Sequence, residues 1–466
     1  MIRDPNLFFE SLKTKKVGVI GLGVSHFDLI CMMCKKGIPV TVLDRRTKEQ
    51  IGADYDTLKE AGASFCLGDE YLSHLTDFDV VFRTPGMYFL SEALTKAREA
   101  GVKIVSEMEV FFDLCPCRVF ALTGSDGKTT TSTLISEFLK ADGHTVWLGG
   151  NIGKALLPQI ENIKPQDVCV VELSSFQLIS MRQSPDVAVV TNVAPNHLDV
   201  HHDMQEYIDA KKQLLLHQNG LSCTVLNYEN DITREEMAPL VRGELRWFSK
   251  NRPVSHGSFL REDGMLCRVV HGEVTPVVHK DEIKIPGMHN VDNFLTAIAA
   301  VGTEVSDDAI RKVAREFGGV EHRIEYVRTV HGIRYYNDSI ASSPTRTIAG
   351  LRAFASKIIV IAGGYDKHIP YAPLGPELCT YSKAVILLGA TAPKIEEAIR
   401  GAENYKEGAP AIYRVNTLEE AVALSQEIGE SGDIVSLSPA SASFDLYKNF
   451  EERGRHFKSI VRGLSE

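Results

Sequence analysis

The stretch that most constrains this chain runs from Leu122 to Thr131 and reads Leu-Thr-Gly-Ser-Asp-Gly-Lys-Thr-Thr-Thr. An apolar run at 119–122 precedes it and predicts a buried strand, while apolar residues at helical spacing follow over 130–140. A strand, a glycine loop, a Lys-Thr pair and a helix predict a site for the phosphates of a nucleotide triphosphate with Mg²⁺. Only two residues separate Gly124 from Gly127, where the common loop has four, so this is a more specific form of the loop.

Length and charge narrow the class of protein. The chain has 466 residues, which predicts about three domains. A net charge of −10 without a Lys/Arg block argues against nucleic acid as a partner. No apolar run is long enough to span a bilayer, and the first residues do not resemble a signal peptide, so the sequence predicts a cytoplasmic protein that does not bind membranes.

The nine cysteines are scattered through apolar stretches, which predicts reduced thiols. Cys31 and Cys34 have the spacing of a redox pair. They fall within a predicted helix between apolar neighbours, with no second such pair to complete a zinc site. We therefore expect them to pack in a core.

Residues 1–106 alternate strands and helices, which predicts a Rossmann-like domain with a parallel sheet. The predicted strands are Val17–Ile20, Val40–Asp44, Val80–Phe82 and Lys103–Val105, and the predicted helices cover 25–36 and 91–100.

The turn at Gly21-Leu-Gly23 lies between the first strand and the first helix, where a pyrophosphate often binds. His26 occupies the place of the third small residue of a dinucleotide fingerprint, so the motif favours a diphosphate or uridine-type ligand over NAD. Asp44 ends the second strand and is placed to accept from a sugar hydroxyl. Gly86 belongs to a second glycine turn that we expect at the same sheet edge.

The central segment adds polar residues at predicted strand ends. Glu172 ends the apolar strand 168–172, where a carboxylate beside a phosphate loop suits Mg²⁺. His197 follows the strand 187–192. Because other polar residues also lie at strand ends, we predict that His197 contacts a metal ion or a phosphate. Tyr207 and Lys211 share one face of a helix predicted over 204–217. From the sequence alone Lys211 is expected to be solvated.

Residues 320–466 again alternate strands and helices, with strands predicted at 357–362, 384–388 and 434–437. This pattern predicts a second Rossmann-like domain.

Several of these motifs together resemble the Mur ligases. They are the phosphate loop, Glu172-Leu-Ser-Ser-Phe-Gln-Leu178, the run 192–199, Gly149–Gly153, Gly287–Asn293, Glu321–Glu325, Tyr336–Ser339, Gly363–Lys367 and Ser438–Asp445. They occur in the family's order over nearly the whole chain. The Glu172–Leu178 run is most similar to that of members which join D-glutamate to UDP-N-acetylmuramoyl-L-alanine.

The resemblance implies an α/β protein of three domains. Residues 1–106 would bind the UDP substrate, 107–319 would form a P-loop ATPase-like domain that binds ATP, and 320–466 would bind the amino acid. The implied reaction is ATP-dependent ligation of D-glutamate to UDP-N-acetylmuramoyl-L-alanine through an acyl phosphate, in cytoplasmic peptidoglycan precursor synthesis. A monomer is expected.

The resemblance also assigns residues, group by group. ATP would contact Gly124, Ser125, Asp126, Gly127, Lys128, Thr129, Thr130, Asn290, Asn293, Arg323 and Asp338. The UDP substrate would contact Gly23, Val24, Ser25, Asp44, Arg45, Gly86, Asn151 and His197. D-glutamate would contact Lys367, Ser443, Phe444 and Phe450. Two Mg²⁺ ions would be held by Thr129, Glu172, His197 and Lys211, the last as a carbamylated lysine. The catalytic residues would be Lys128, His197 and Lys211.

Four positions depart from the family's pattern. Asp126 replaces the Asn of many members, Ile340 replaces a Lys, and the residues before Lys367 are Tyr365 and Asp366. These departures bear on amino-acid recognition and on the charge beside ATP.

Two other functions stay open on the sequence. The first is a sister amide ligase that adds L-alanine, a diamino acid, or glutamate to folate. The second is a nucleotide-binding dehydrogenase or a sensor without catalysis, which would bind cofactor but not turn over ATP.

Overall fold

The computed structural model describes residues 4–195, 201–367 and 369–465, with Val24 and Ser25 described for their backbone only. His197, which the sequence assigns to metal and substrate, lies outside the described residues. The chain forms two compact units, one of residues up to Lys280 with Asp292–Val313 and one of Asp281–Val291 with Ala314–Glu466. The first unit holds two sheets and the second holds one. The boundaries at 106/107 and 319/320 stay predictions.

The first sheet has five parallel strands in the order β3-β2-β1-β4-β5. These are β1 Val17–Ile20, β2 Val40–Asp44, β3 Ser64–Leu67, β4 Val80–Phe82 and β5 Lys103–Val105. The helices are α1 Pro5–Leu12, α2 Val24–Lys35, α3 Lys48–Ile51, α4 Ala53–Glu60, α5 Glu92–Glu99 and α6 Glu107–Leu114. The central strands β1 and β4 are wholly buried, as continuous apolar runs in a doubly wound sheet require.

The second sheet has nine strands in the order β14-β13-β12-β11-β10-β9-β6-β8-β7. They are β6 Arg118–Thr123, β7 Val146–Gly150, β8 Val168–Glu172, β9 Val187–Val190, β10 Cys223–Asn227, β11 Glu244–Ser249, β12 Gly257–Leu260, β13 Met265–Val270 and β14 Glu273–His279. The helices are α7 Lys128–Ala141, α8 Ser175–Leu178, α9 Met204–Leu216, α10 Met288–Val301 and α11 Asp307–Glu316. Strands β7 to β12 pair in parallel, whereas β13 and β14 extend the sheet as antiparallel strands. Since β6 lies between β8 and β9, the phosphate loop, Glu172 and the residues after β9 share one sheet edge.

The third sheet has six strands in the order β15-β16-β20-β17-β18-β19, parallel except for β15. They are β15 Glu325–Val330, β16 Ile333–Asn337, β17 Ile358–Gly363, β18 Ser382–Leu388, β19 Ala411–Arg414 and β20 Ile434–Leu437. The helices are α12 Pro344–Leu351, α13 Leu374–Tyr381, α14 Ala392–Arg400, α15 Leu418–Ile428 and α16 Phe450–Arg462. Apolar clusters cover both faces of this sheet.

The three-sheet α/β architecture confirms the predicted fold class. Cys31 and Cys34 lie within α2 and pack against the core of the first unit, as expected. Across the part of the chain that the structure describes, we find no helix with both the length and the apolar character needed to cross a membrane.

Candidate active site

The phosphate loop closes between β6 and α7 in a backbone conformation that only glycine adopts easily. Gly124 has φ 154°, and a Cβ there would lie 1.8 Å from Oγ1 of Thr191. Gly127 has φ 77° and directly precedes α7, and a Cβ there would lie 2.5 Å from Oδ1 of Asn293. Both glycines of the shortened motif are therefore required by φ and by close neighbours.

Neighbouring side chains fix the first half of the loop. Asn192 accepts from the Ser125 N–H through its carbonyl at 2.9 Å and from the Asp126 N–H through Oδ1 at 3.0 Å. The hydroxyl of Ser125 donates to the Ala194 carbonyl at 2.8 Å and lies 3.0 Å from the hydroxyl of Tyr207. The first N–H groups of α7 have no intrahelical acceptor, as at any helix start, so this end of α7 is the part of the loop suited to an anion.

Two lysines converge on one loop carbonyl. Nζ of Lys128 donates to Gly124 O at 2.9 Å and to Ser125 O at 3.0 Å. Nζ of Lys211, on α9, also donates to Gly124 O at 2.9 Å and to Oγ1 of Thr123 at 3.2 Å. The site therefore brings two lysine nitrogens to the loop, and the ammonium of Lys128 suits the outer phosphates of a nucleotide.

Lys211 is the clearest departure from the residue-level expectation. The sequence alone predicts a solvated side chain, but Lys211 is 1% exposed and its Nζ lies 4.5 Å from the ring centroid of Tyr207. Burial, helped by the nearby charge of Lys128, holds the pKa of the Lys211 amine well below its usual value. The prediction that Lys211 is solvated is wrong because β6 and the phosphate loop cover that face of α9. The shared face of Tyr207 and Lys211 is confirmed.

Glu172 ends β8 one strand from the loop and is 1% exposed. Its Oε1 accepts from Nδ2 of Asn151 at 3.0 Å, and the Asn151 N–H donates to the Glu172 carbonyl at 2.8 Å. Its Oε2 is buried and accepts no hydrogen bond from the described residues. A buried carboxylate oxygen without a donor, beside a phosphate loop, fits a divalent cation. Thr129, on the first turn of α7, is partly exposed at the same sheet edge.

Asn293 lies on α10, next to the phosphate loop. Its Oδ1 accepts from Oγ1 of Thr131 at 3.2 Å. Asn290, which the sequence also assigns to ATP, donates through Nδ2 to the Pro286 carbonyl at 2.6 Å. Helix α10 begins at Met288, so both asparagines lie within its first two turns.

A buried histidine near the loop escaped the sequence analysis. His201 is 2% exposed, and its Nε2 and Nδ1 lie 2.8 Å from Oγ of Ser175 and 2.9 Å from Oε1 of Glu206. Its ring stacks on Phe176 at 5.1 Å. The other Glu206 oxygen accepts from the hydroxyl of Tyr88 at 2.7 Å. These contacts connect α8 and α9 to the first sheet. In the sequence, only the adjacent histidines at 201 and 202 indicate such contacts, and that indication is weak.

The glycine turn of the first sheet is closed by its own side chains. Asp44 Oδ2 accepts from the Leu22 N–H at 2.7 Å, and Arg46 donates to both Asp44 oxygens and to the Leu22 carbonyl. Burial raises the pKa of Asp44, but the bonds from Arg46 and from backbone amides outweigh it, so the pKa lies below its usual value. Asp44 is thus largely engaged within the protein, and Arg46 was missed because its role depends on the turn's shape.

The contacts of His26 explain why the dinucleotide fingerprint lacks its third small residue. It is 1% exposed, and its Nδ1 lies 2.9 Å from Gly21 O and 3.1 Å from Ile20 O. Since carbonyls only accept, Nδ1 carries the proton. The side chain therefore closes the strand end that a third small residue would leave open.

The outer side of this turn remains accessible. A Cβ added to Gly23 or to Gly86 would meet nothing within 4 Å. Arg45 is mostly exposed and lies 3.8 Å from Asp69. The backbones of Val24 and Ser25 begin α2 directly after Gly23. These predicted substrate residues lie on one edge of the first sheet, with Asp44 behind them.

A fully buried arginine joins this sheet to α8. Arg83, at the end of β4, donates through Nη2 to the Phe176 carbonyl and to Oγ of Ser180, both at 3.0 Å, and through Nη1 to the Met87 carbonyl at 2.9 Å. It is 1% exposed, and burial lowers the pKa of its guanidinium to about 10. Nothing in the sequence around Arg83 indicates this contact.

The second unit holds the remaining predicted residues. Asp338 follows β16 and accepts from Oγ of Ser438 at 2.9 Å and from the Ile324 N–H at 3.2 Å. Burial raises the pKa of its carboxyl to about 7. Arg323 lies nearby in a turn closed by its own N–H and the Val320 carbonyl at 2.9 Å.

The residues assigned to D-glutamate divide into two groups. Nζ of Lys367 lies 5.3 Å from the ring centroid of Phe444, which is 59% exposed and contacts Tyr365. Ser443 is buried immediately before Phe444. Phe450 instead begins α16, where its carbonyl accepts from Oγ of Ser339 at 2.8 Å.

Arg453 was not predicted, and it organises this region. It is 4% exposed and donates to Oγ and O of Ser339 and to the carbonyls of Ser441 and Ala442. It therefore fixes the backbone that leads into Ser443.

Three family models match the chain. "Mur ligase MurD-like, N-terminal domain" matches residues 15–106, "Mur ligase middle domain" matches 122–301, and "Mur ligase, glutamate ligase domain" matches 322–441. Each range contains one of the three sheets or most of it.

Curated relatives match over the full length. The chain is 50% identical over 462 residues to UDP-N-acetylmuramoylalanine--D-glutamate ligase of Acetivibrio thermocellus, covering 98% of both chains. It is 49% identical to the protein of that name from Clostridium botulinum, covering 100% of both.

Solved structures agree on the fold. UDP-N-acetylmuramate-alanine ligase MurC from Thermotoga maritima aligns with a TM-score of 0.57 at 18% identity, over 96% of this chain and 99% of that one. MurF from Acinetobacter baumannii aligns with a TM-score of 0.58 at 15% identity, over 95% and 92%. The family models and the full-length relatives together show that the chain belongs to the Mur ligase family, the ligases of peptidoglycan precursor synthesis.

Proposed function

We propose that this chain joins D-glutamate to UDP-N-acetylmuramoyl-L-alanine with hydrolysis of ATP to ADP and phosphate. The observation that carries this specificity is the roughly 50% identity, over the full length, to relatives named for that reaction. The likeness to alanine-adding and other ligase structures is at 15–18% identity and supports only the shared fold.

The reaction needs an activated carboxylate, because a carboxylate at neutral pH is a poor electrophile. We propose that the γ-phosphoryl group of ATP moves to the alanyl carboxylate and gives an acyl phosphate. The amine of D-glutamate then attacks the acyl carbon, the tetrahedral intermediate collapses, and phosphate leaves as the amide forms. Transfer of this kind depends mainly on positioning and on charge stabilisation.

Lys128 is the proposed phosphate ligand. Its ammonium bonds two loop carbonyls, which are weak substitutes for phosphate oxygens. In the proposed complex it moves to the outer phosphates and offsets the charge that develops during transfer. Asp126 is exposed and its N–H is held by Asn192, so its additional carboxylate lies at the outer side of the loop.

Thr129 and Glu172 are the proposed ligands of one Mg²⁺, and His197 with carbamylated Lys211 those of a second. Bound Mg²⁺ would neutralise phosphate oxygens. Oε2 of Glu172 supports the first assignment, since it is buried without a hydrogen-bond donor among the described residues.

The carbamate on Lys211 is supported by the state of its amine. Carbamylation requires a neutral amine, whose lone pair attacks CO₂ and which then loses a proton. Burial and Lys128 favour that neutral form. The product is an anion beside the Lys128 ammonium, so carbamylation adds an attraction that the neutral amine lacks.

The remaining assignments stay proposals. They comprise Asn293 and Asn290 near the adenine, Arg323 and Asp338 on the nucleotide, Asn151 and the first-sheet residues Gly23, Val24, Ser25, Asp44, Arg45 and Gly86 on the UDP substrate, and Lys367, Ser443, Phe444 and Phe450 on D-glutamate. We also propose that the enzyme is cytoplasmic and monomeric.

The test is phosphate release from ATP with UDP-N-acetylmuramoyl-L-alanine and a panel of amino acids. Release that requires both the nucleotide sugar and D-glutamate is the expected result. Release with L-alanine, a diamino acid or a folate substrate would assign the chain to a sister reaction. No release with any pair, by folded protein that binds ATP, would contradict a ligase function.

A further inference from the structure

Three cysteines meet at the end of the second sheet opposite the phosphate loop. Cys115 ends α6, Cys117 directly precedes β6, and Cys169 is the second residue of β8. Because β6 and β8 are parallel neighbours, these residues lie at the beginning of the two strands that end in the phosphate loop and in Glu172. No residue of the proposed active site belongs to this cluster.

The sulfur atoms are spaced as ligands of one metal ion. Sγ of Cys115 lies 3.7 Å from that of Cys117 and 3.8 Å from that of Cys169, and the last two are 3.4 Å apart. Zinc–thiolate bonds of about 2.3 Å in a tetrahedron put two sulfurs roughly 3.8 Å apart. Among the residues with described positions, no other group of three His, Cys, Asp or Glu brings ligand atoms this close together.

Burial also suits a cation. Cys117 and Cys169 are buried, whereas Cys115 is partly exposed and offers an entry path. Other buried cysteines, such as Cys223 and Cys267, belong to no such group.

We propose that Cys115, Cys117 and Cys169 bind one Zn²⁺ ion as three thiolates, with a water molecule in the fourth position on the side of Cys115. Binding releases the thiol protons to solvent, forms three Zn–S bonds and changes no oxidation state. The ion would join the end of α6 to the beginnings of β6 and β8.

The test uses the full-length chain without an affinity tag, reduced and stripped of metal by a chelator. Co²⁺ is added as a spectroscopic probe, followed by Zn²⁺. We expect near-ultraviolet thiolate-to-cobalt charge-transfer bands that Zn²⁺ abolishes, and one Zn²⁺ retained per chain after gel filtration. Divalent ions bound by carboxylates at the phosphate loop give no thiolate bands, so the two sites are distinguishable.

Cys115→Ser is the first variant, because Cys115 is partly exposed and its loss disturbs packing least. It should weaken Zn²⁺ binding by more than the roughly 10–100-fold that loss of an outer-shell partner costs. Cys34→Ser, also partly exposed but on α2, is the matched control and should bind Zn²⁺ unchanged. Cys169→Ala supplies an independent test if Cys115→Ser does not fold.

Two results would overturn the proposal. One is the absence of thiolate bands and of retained Zn²⁺ in folded, reduced protein. The other is Zn²⁺ binding that persists undiminished in folded Cys115→Ser and Cys169→Ala. In the first case, a Cys117–Cys169 disulfide formed in air would assign the cluster to a redox pair.

Discussion

The molecule contains two glycine turns of the same topology, but the side chains around them make different hydrogen bonds. Each lies between a buried parallel strand and a helix, at Gly21–Gly23 and at Gly124–Gly127. In the first turn His26, Asp44 and Arg46 bond the backbone and close it. In the second turn two lysines share one loop carbonyl, and a buried oxygen of Glu172 has no donor among the described residues.

The difference indicates how each turn meets its ligand. A turn whose polar groups are already paired offers a fixed outer surface, and its affinity comes from side chains and backbone around that surface. A loop whose lysines bond weak acceptors can exchange those acceptors for phosphate at small cost. We therefore expect substitutions of the polar side chains at the second turn to affect turnover and those at the first to affect stability and substrate binding.

The largest effect is expected from Lys128→Ala. Removal of the ammonium should lower kcat by at least about 10²–10³-fold, because it leaves the developing phosphate charge without its nearest cation. Lys140→Ala, at the exposed end of the same helix, is the control and should keep full turnover. Steady-state phosphate release measures both, and an active Lys128→Ala enzyme would remove the functional contrast between the two turns.

Lys211→Arg places a guanidinium at this position and cannot form the carbamate. We expect a loss of at least about 10²-fold in kcat, the upper end of what loss of an outer-shell partner of a metal site costs. Carbon NMR of protein in isotope-labelled bicarbonate should show one carbamate signal in the parent chain and none in this variant. Lys212→Arg, whose side chain pairs with Glu236 and Asp209, should keep both signal and turnover. A carbamate signal that persists in Lys211→Arg would assign the modification elsewhere.

Gly124→Ala and Gly23→Ala compare the two turns directly. The first substitution places a Cβ against Thr191 at a φ that disfavours side chains, and should cost on the order of 2–4 kcal/mol of unfolding free energy. The second meets open space at an ordinary φ of −93° and should cost at most about 1 kcal/mol. Denaturant unfolding followed by fluorescence measures both. Equal losses would mean that the phosphate loop relaxes around an added Cβ.

The smallest effect concerns His26 and pH. Burial lowers its pKa below the ordinary 6.5, so the unfolded chain binds more protons in the window just below pH 6.5. Stability is therefore lost as pH falls through that window towards the folded pKa. His26→Asn should remove this part of the pH dependence and cost about 1–3 kcal/mol at neutral pH through the lost carbonyl bonds. An unaltered slope in His26→Asn would show that another group carries the dependence.

The strands were the most predictable part of the fold. Those at Val17–Ile20, Val40–Asp44 and Val80–Phe82 have the predicted bounds because buried parallel strands are continuous apolar runs. Helix starts were shifted by up to two residues, since capping residues carry less signal than apolar spacing. The antiparallel strands β13 and β14 were not predicted, because polar residues and a proline interrupt their apolar runs.

At the site, motif residues were found more easily than their supports. The loop and Glu172 could be predicted because their residue types follow from the chemistry at strand ends. The burial of Lys211, the contacts of His201 and the cysteine cluster depend on which elements the fold brings together. Spacing along one helix or strand does not contain that information.

The burial of Arg83 limits the exchange of the first sheet between related enzymes. Its guanidinium supplies donors to the Phe176 carbonyl and to Ser180, at the foot of the helix that follows Glu172. A chimera that imported the first sheet with another residue at this position would leave buried acceptors unsatisfied, at about 1–3 kcal/mol each. The first sheet therefore cannot be exchanged between relatives by itself. A functional chimera has to keep Arg83 together with Phe176 and Ser180, which accept its hydrogen bonds.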